Sequence, residues 1–183
     1  METIWIKNIE VDGRCVTYHL DISTGLACYF NDKREMFVEF GFDISAIPKS
    51  VLAVPILSNI MQFAWLFDCL VWIESVDKQF YECLPRIKRS FQEMYRNYSF
   101  GGSLIAAKVI DNEHSVKKES ALLFTGGVDA TTTFLRIRDT HPILIDTFGW
   151  CNDRDDESCV FKADISAINR FAEEHCVQAE YIK

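Results

Sequence analysis

The chain is short of positive charge: 19 lysines and arginines face 27 aspartates and glutamates, for a net charge of −8. A protein that grips a phosphate backbone needs the opposite balance, so no nucleic-acid partner is expected. The one local basic cluster, Arg86, Lys88, Arg89 and Arg96, reads as the solvated face of a helix. Also missing is any Cys-x-x-Cys pair. The seven cysteines are widely spaced, which offers a tetrahedral zinc site no paired ligands and suits free thiols in a reducing cytoplasm. No basic-then-apolar leader follows Met1-Glu2-Thr3, so no secretory signal is read. The most apolar stretch, Val51 to Val71, is broken by Pro55, Ser58, Asn59, Gln62 and Asp68. It is expected to be a buried helix of a soluble protein rather than a membrane span. Neither Gly-x-x-x-x-Gly-Lys nor Gly-x-Gly-x-x-Gly occurs, which excludes the two commonest phosphate loops.

Apolar residues are plentiful. Hydrophobic residues make up 49% of the 183 positions and aromatics 13%, enough for a buried core in one domain or two small ones. The first forty residues read as an antiparallel meander: Thr3 to Ile9, Cys15 to Ile22, Leu26 to Phe30 and Glu35 to Phe40. Turns at Val11 to Arg14 and Asn31 to Lys33 separate them. A helix is predicted over Val51 to Phe67, then a short strand at Leu70 to Glu74. Asp77 can cap a second helix whose apolar residues Phe80, Leu84, Ile87, Phe91 and Met94 recur every three or four positions. Pro85 is expected to kink or interrupt it. Gly101-Gly102 reads as a plain turn before a strand at Leu104 to Ile110.

The polar stretch from Asp111 to Ser120 then divides the chain. An α+β domain of antiparallel strands plus two helices is expected over 1–112, a linker over 113–118, and an α/β domain with a parallel sheet over 119–183. In that second part Ala121 to Phe124 and Ile143 to Thr147 are short unbroken apolar runs, as in parallel strands buried on both faces. Ala130 to Arg138 reads as a helix. Asp164 or Ser166 can cap another through Cys176 with Ile165, Ile168, Phe171 and Ala172 on one face, and Ala179 to Ile182 starts a third strand. Two βα units leave a parallel sheet incompletely covered, so a missing C-terminal part, or a homo-oligomer that covers the sheet, is expected.

Chemistry concentrates in Ala121-Leu122-Leu123-Phe124-Thr125-Gly126-Gly127-Val128-Asp129-Ala130-Thr131-Thr132-Thr133. A strand ends, two glycines follow and a helix begins. Glycines let backbone approach a ligand closely, and successive N–H groups at a helix start seat an anion. Thr125, Thr131 and Thr132 can add hydroxyl donors. Asp129 suits Mg²⁺ rather than phosphate. The segment resembles the Ser-Gly-Gly-x-Asp-Ser signature of the PP-loop ATP pyrophosphatases. Ile143 to Trp150, with its Asp146-Thr147-Phe148-Gly149 run, is similar to the second strand of the 7-cyano-7-deazaguanine synthases within that family. The resemblance covers about residues 119 to 183.

That resemblance implies an adenine-nucleotide α-hydrolase fold, with ATP and Mg²⁺ as cofactors and ATP split into AMP and pyrophosphate while a substrate carboxylate or carbonyl is adenylated. It places Thr125, Gly126, Gly127, Val128, Asp129 and Thr131 on phosphate and Mg²⁺, with Asp129 as the catalytic and metal-binding carboxylate. Asp146, Thr147 and Phe148 fall to the adenine. The acceptor would be a small molecule or a protein, in the cytoplasm, with no membrane. Departures from the signature are Thr125 for the first serine and Ala130 for the last, which removes a donor; Thr131 lies about 100° around the helix from it. The zinc-binding cysteines of the synthases have no counterpart. The alternative expectations are a nucleotide-binding or scaffold module without turnover, or a fragment of a longer enzyme. The acidic run Asn152 to Glu157 reads as a solvated loop, since it lacks calcium-loop spacing.

Overall fold

In the computed structural model, residues 1–30, 34–113, 119–147 and 159–183 are described, with 159–164 as backbone alone. The chain forms two compact units. Unit 1 holds Met1–Val38 and Ile44–His114, and unit 2 holds Glu39–Asp43 and Ser115–Lys183. The boundary between the units thus falls within the polar stretch, but unit 2 also takes up the five residues Glu39–Asp43. The Asn31 to Lys33 turn, most of the 113–118 linker and the acidic run 152–157 lie outside the described residues.

Unit 1 begins with the expected hairpin. Strands β1 (Thr3–Asp12) and β2 (Cys15–Ile22) pair antiparallel across Asp12 and Cys15, with Gly13 at φ 56° in the turn. Thr24–Tyr29 then forms a 3-10 helix, not the expected strand. Ser23 turns the chain locally, its carbonyl accepting from Leu26 at 3.0 Å and its hydroxyl from the Thr3 amide at 2.9 Å, so these backbone groups are used before a strand neighbour could pair with them. After β3 (Glu35–Glu39) come α1 (Lys49–Leu66), β4 (Leu70–Asp77), α2 (Lys78–Met94) and β5 (Ser103–Ile110). The sheet order is β3-β2-β1-β4-β5.

This sheet is mixed, not antiparallel. β4 pairs parallel to β1, and β5 parallel to β4. The cause is the connections: each of these strands is reached through a helix, and a helix crossover returns the chain in its original direction. Both crossovers step the same way along the sheet, so the right-handed rule lays α1 and α2 on one face. Trp65 of α1 and Phe91 of α2 meet there, with ring centroids 6.0 Å apart. Ile4, Ile6, Val71 and Ile73 point into that face, beneath Leu52, Ala53, Ile56, Leu57 and Ile60 of α1. Lys49–Leu66 is long and apolar enough to cross a membrane by composition, yet half of it is buried in this core. Tyr18 reaches the same layer, where its hydroxyl donates to the Leu52 carbonyl at 2.8 Å and burial pushes its pKa up.

Asp77 caps α2 as its sequence position suggests, accepting from the Phe80 amide at 3.0 Å and from Asn112 Nδ2 at 2.9 Å. Pro85 leaves α2 uninterrupted over Lys78–Met94. Its missing N–H would have bonded the carbonyl of Tyr81, and Tyr81 is solvent-exposed, so water can satisfy that group. The basic side chains of α2 are used locally: Arg89 pairs with Glu93 at 3.1 Å, and Lys88 donates to the Gly102 carbonyl at 2.9 Å.

Gly101-Gly102 is more than a plain turn. Gly102 takes φ 59°, and its amide donates to Asp68 Oδ1 at 2.7 Å. A Cβ there would run into the Ala64 carbonyl and stand 2.6 Å from the Cys69 carbonyl oxygen. Both obstacles are backbone at the α1–β4 turn and cannot swing aside. Gly102→Ala is therefore expected to destabilise unit 1 by about 2 to 5 kcal/mol, combining left-handed strain with overpacking. Urea denaturation followed by far-ultraviolet circular dichroism measures this. A loss below about 1 kcal/mol, the cost of an ordinary exposed change, would contradict it.

Unit 2 carries β6 (Ala121–Leu123), α3 (Val128–Ile137), β7 (Ile143–Thr147), α4 (Cys159–Glu174) and β8 (Ala179–Ile182). The three strands form a parallel sheet in the order β6-β7-β8. β7 and β8 match the sequence expectation, while α3 starts two residues earlier and α4 well before Asp164. Sequential strand order again places both helices on one face. Phe124, Phe134, Leu144, Ile168 and Ala172 make the core between that face and the helices. β6 is consequently not buried on both sides: Ala121 is exposed and Leu123 is 70% exposed. The outer edge of β8 is paired by the early segment of unit 2. Glu39 and Lys183 exchange both backbone hydrogen bonds, at 2.7 and 2.9 Å, and Phe40 bridges to Ile182.

Candidate functional site

The site grows from the way β6 ends. The Phe124 amide still donates to the Ile145 carbonyl at 2.8 Å, so the chain leaves the sheet only at Thr125. Gly126 then takes φ 75°, a left-handed conformation that costs an L-residue with a Cβ roughly 1–2 kcal/mol. A Cβ built on Gly126 meets nothing within 4 Å, so the space beside the loop is open to a ligand. Gly127 is the residue before α3, and the first helical hydrogen bond runs from the Thr131 amide to its carbonyl at 2.9 Å. The amides of Val128, Asp129 and Ala130 precede that bond and have no acceptor within the helix. They form the positive end of its dipole.

A pocket of about 340 Å³ opens at this loop, lined by Phe124, Thr125, Gly126, Thr131, Ala167, Ile168 and Phe171. Its volume is at the small end of the range for ligand sites. One wall is polar, from the loop and Thr131. The other is apolar, from the end of β6 and one face of α4. Phe171 is braced there by Phe124 and Phe134, with ring centroids 4.7 and 5.0 Å away. No lysine or arginine is among these lining residues, so an anion would rely on amides, hydroxyls and a metal ion.

The expected residues divide into three groups. Thr125, Gly126 and Thr131 line the pocket together. Thr131, about 100° around the helix from Ala130, lines the cavity from the first turn of α3. Gly127, Val128 and Asp129 adjoin the pocket along the chain without lining it; Val128 is 83% exposed and Asp129 is exposed as well. Asp129 leads the first turn of α3. Among the described residues no three acidic, histidine or cysteine side chains converge as a metal site, so Asp129 would share a metal ion with the ligand's own oxygens.

Asp146 and Thr147 end β7 at the same carboxyl edge of the sheet as the loop, because β6 and β7 run parallel in register. Neither lines the pocket. Thr147 is exposed, Asp146 is buried, and Phe148 lies outside the described residues. Asp146 stands opposite Tyr181 on β8. Burial, and secondarily the Asp146 carboxylate, raises the Tyr181 pKa, and its hydroxyl donates to Asn169 Oδ1 at 2.8 Å. The apolar wall of Phe124, Ala167, Ile168 and Phe171 was not among the expected site residues. Its signal was present in the sequence, since 167, 168 and 171 share a helix face, but that face read as core. In comparison with known proteins, no family model, no curated protein and no solved structure matches the chain.

Proposed function

We propose that unit 2 is a nucleotide seat of the PP-loop kind, binding ATP with Mg²⁺ and cleaving it to AMP and pyrophosphate as a substrate carboxylate or carbonyl is adenylated. One observation carries this reading: a parallel strand ends in two glycines that open directly into a helix, and the pocket lies against that junction. In this role the amides of 128–130 and the hydroxyls of Thr125 and Thr131 donate to phosphate oxygens and stabilise the charge that builds on departing pyrophosphate. Asp129 holds the metal ion, whose positive charge neutralises phosphate when it is bound. Phe124, Ile168 and Phe171 supply the apolar wall of the cavity. The acceptor oxygen replaces pyrophosphate on the α-phosphorus, and AMP leaves when a nucleophile, water or an amine, then attacks the activated carbon of the adenylated acceptor. The carboxyl edge at Asp146 and Thr147 is assigned to the adenine. A cytoplasmic setting accords with the described free thiols.

Ala130 favours a second reading, a module that binds nucleotide without turnover, because it offers no hydroxyl where the signature has one. Product analysis decides between them. The enzyme reading expects pyrophosphate from ATP and Mg²⁺ once a carboxylate or carbonyl acceptor is supplied, with an equal amount of AMP once a nucleophile, water or an amine, has cleaved the adenylated acceptor. Thr131→Val, which removes a pocket hydroxyl at nearly constant shape, is then expected to slow turnover about 10- to 150-fold, from the roughly 1.5 to 3 kcal/mol of a charged hydrogen bond. Saturable ATP binding without either product across an acceptor screen favours the module, and unchanged turnover in Thr131→Val contradicts the assigned donor.

A further inference from the structure

β3 is an edge strand of the unit 1 sheet, five residues long, and none of Glu35–Glu39 is buried. So few core contacts put such a strand at the low-stability end of a fold, and side chains that reach it from β2 gain weight. Two side chains of β2, His19 and Asp21, do so, and alternation along the strand sets them on the same face. Asp21 meets Lys7 of β1 at 2.7 Å and Arg34, the residue before β3, at 3.9 Å. All three groups stay charged across the physiological range, and Lys7, more than Arg34, holds the Asp21 carboxyl below its usual range. His19 reverses the signs. Its Nε2 stands 3.2 Å from Glu10 Oε2 of β1, and its Nδ1 stands 3.0 Å from Glu35 Oε1 of β3. Among the described residues these two carboxylates are the charged groups that meet the ring from β1 and β3, with Asp21 two places along its own strand.

A neutral imidazole has one N–H and one bare nitrogen, whereas the imidazolium donates from both. A carboxylate at each ring nitrogen therefore fits the charged form. The neutral ring can serve only one of them and turns a lone pair toward the other. We infer that His19 is a proton-operated clasp that fastens β3 to β2 and β1. With the proton on, the ring donates to Glu10 and Glu35 and offsets the charge of both. With the proton off, one bond is lost and two carboxylates flank an uncharged ring. The His19 contribution is thus present at low pH and is lost as pH rises through the imidazole titration. The Glu10 and Glu35 contributions run the other way and are lost as pH falls through the carboxylate titrations. β3 is held most firmly between these limits, while the Asp21 pairs beside the clasp change little. Imidazole is the side chain whose charge ordinarily changes in the physiological range, so this crossing responds where its neighbour does not.

Nuclear magnetic resonance of the full chain tests this with two readings across one pH series. The ring nitrogen shifts of His19 follow its protonation. Amide hydrogen exchange, corrected for its own pH dependence, follows the attachment of β3. Protection of the β3 amides is expected to fall roughly 2- to 30-fold as the ring loses its proton, the range that two exposed ion pairs give. Amides of β4 and β5 are expected to keep theirs. His19→Gln is expected to remove the β3 response; the side chain is 35% exposed, so the change leaves the core intact. Glu35→Gln, nearly the same shape, is expected to flatten the response, because the new amide donates to the ring nitrogen that has lost its proton. β3 protection that does not follow the His19 ring, or that falls equally in His19→Gln, overturns the inference. An undiminished response in Glu35→Gln overturns it as well.

Discussion

Replacing Phe134 by alanine is expected to cost unit 2 about 3 to 5 kcal/mol, the usual range for deleting a buried aromatic ring. Phe134 is 1% exposed. Its ring lies 6.3 Å from Phe124, 5.0 Å from Phe171 and 4.9 Å from His175, so one side chain joins the strand end, α3 and α4. Among the described residues, the buried core it belongs to holds five. A unit this small has little stability to lose, since folded domains are held by roughly 5 to 15 kcal/mol. Native-state hydrogen exchange reads the result by region. Amides of β7 and β8 are expected to lose protection, while those of β1 and β4, above a separate core, keep theirs. Uniform protection across both units in Phe134→Ala would contradict the assignment of this ring as the keystone of unit 2. Phe134→Leu, which keeps most of the volume, should recover a large part of the loss.

The second large effect concerns ligand rather than fold. Gly126→Val is expected to abolish nucleotide binding while leaving unit 2 folded. A Cβ at this position meets nothing within 4 Å. The fold therefore pays only the strain of a β-branched residue at φ 75°, on the order of 1 to 2 kcal/mol. For the ligand the added side chain stands on a residue that lines the pocket, and relief of the strain turns the amides that follow. Gly127→Ala makes an informative contrast. Gly127 has φ −69°, and a Cβ there stands 3.7 Å from Thr125 Oγ1, so this variant should fold without strain and bind more weakly only if the ligand approaches Gly127 closely.

What could be read from the sequence was local. Asp77 announced its cap because its carboxylate needs only the next turn of backbone, and Ile143 to Thr147 and Ala179 to Ile182 announced themselves as apolar runs of strand length. The pairing of those strands was not local. Nothing near Leu70 or Leu104 says that β4 and β5 lie parallel to β1; that follows from the helices between them. The pairing of Glu39 and Phe40 with Lys183 and Ile182 joins residues more than 140 positions apart and leaves no mark in either segment. Gly102 looked like a turn residue because the carbonyls that exclude its Cβ belong to residues 64 and 69. The site divides in the same way. The glycine loop is a contiguous signal, whereas its apolar wall comes from Ala167, Ile168 and Phe171, whose spacing is the same whether a helix faces a core or a cavity. Thr131 lines the pocket from the first turn of α3, which begins at Val128, two residues before the sequence suggested.

The most direct test of the central claim is a calorimetric titration of the full chain with ATP and Mg²⁺, beside the Gly126→Val variant shown by circular dichroism to be folded. Saturable binding by the native chain, lost in the variant, is the predicted result. Absence of binding by the native chain, or equal binding by both, would contradict a nucleotide seat at this loop.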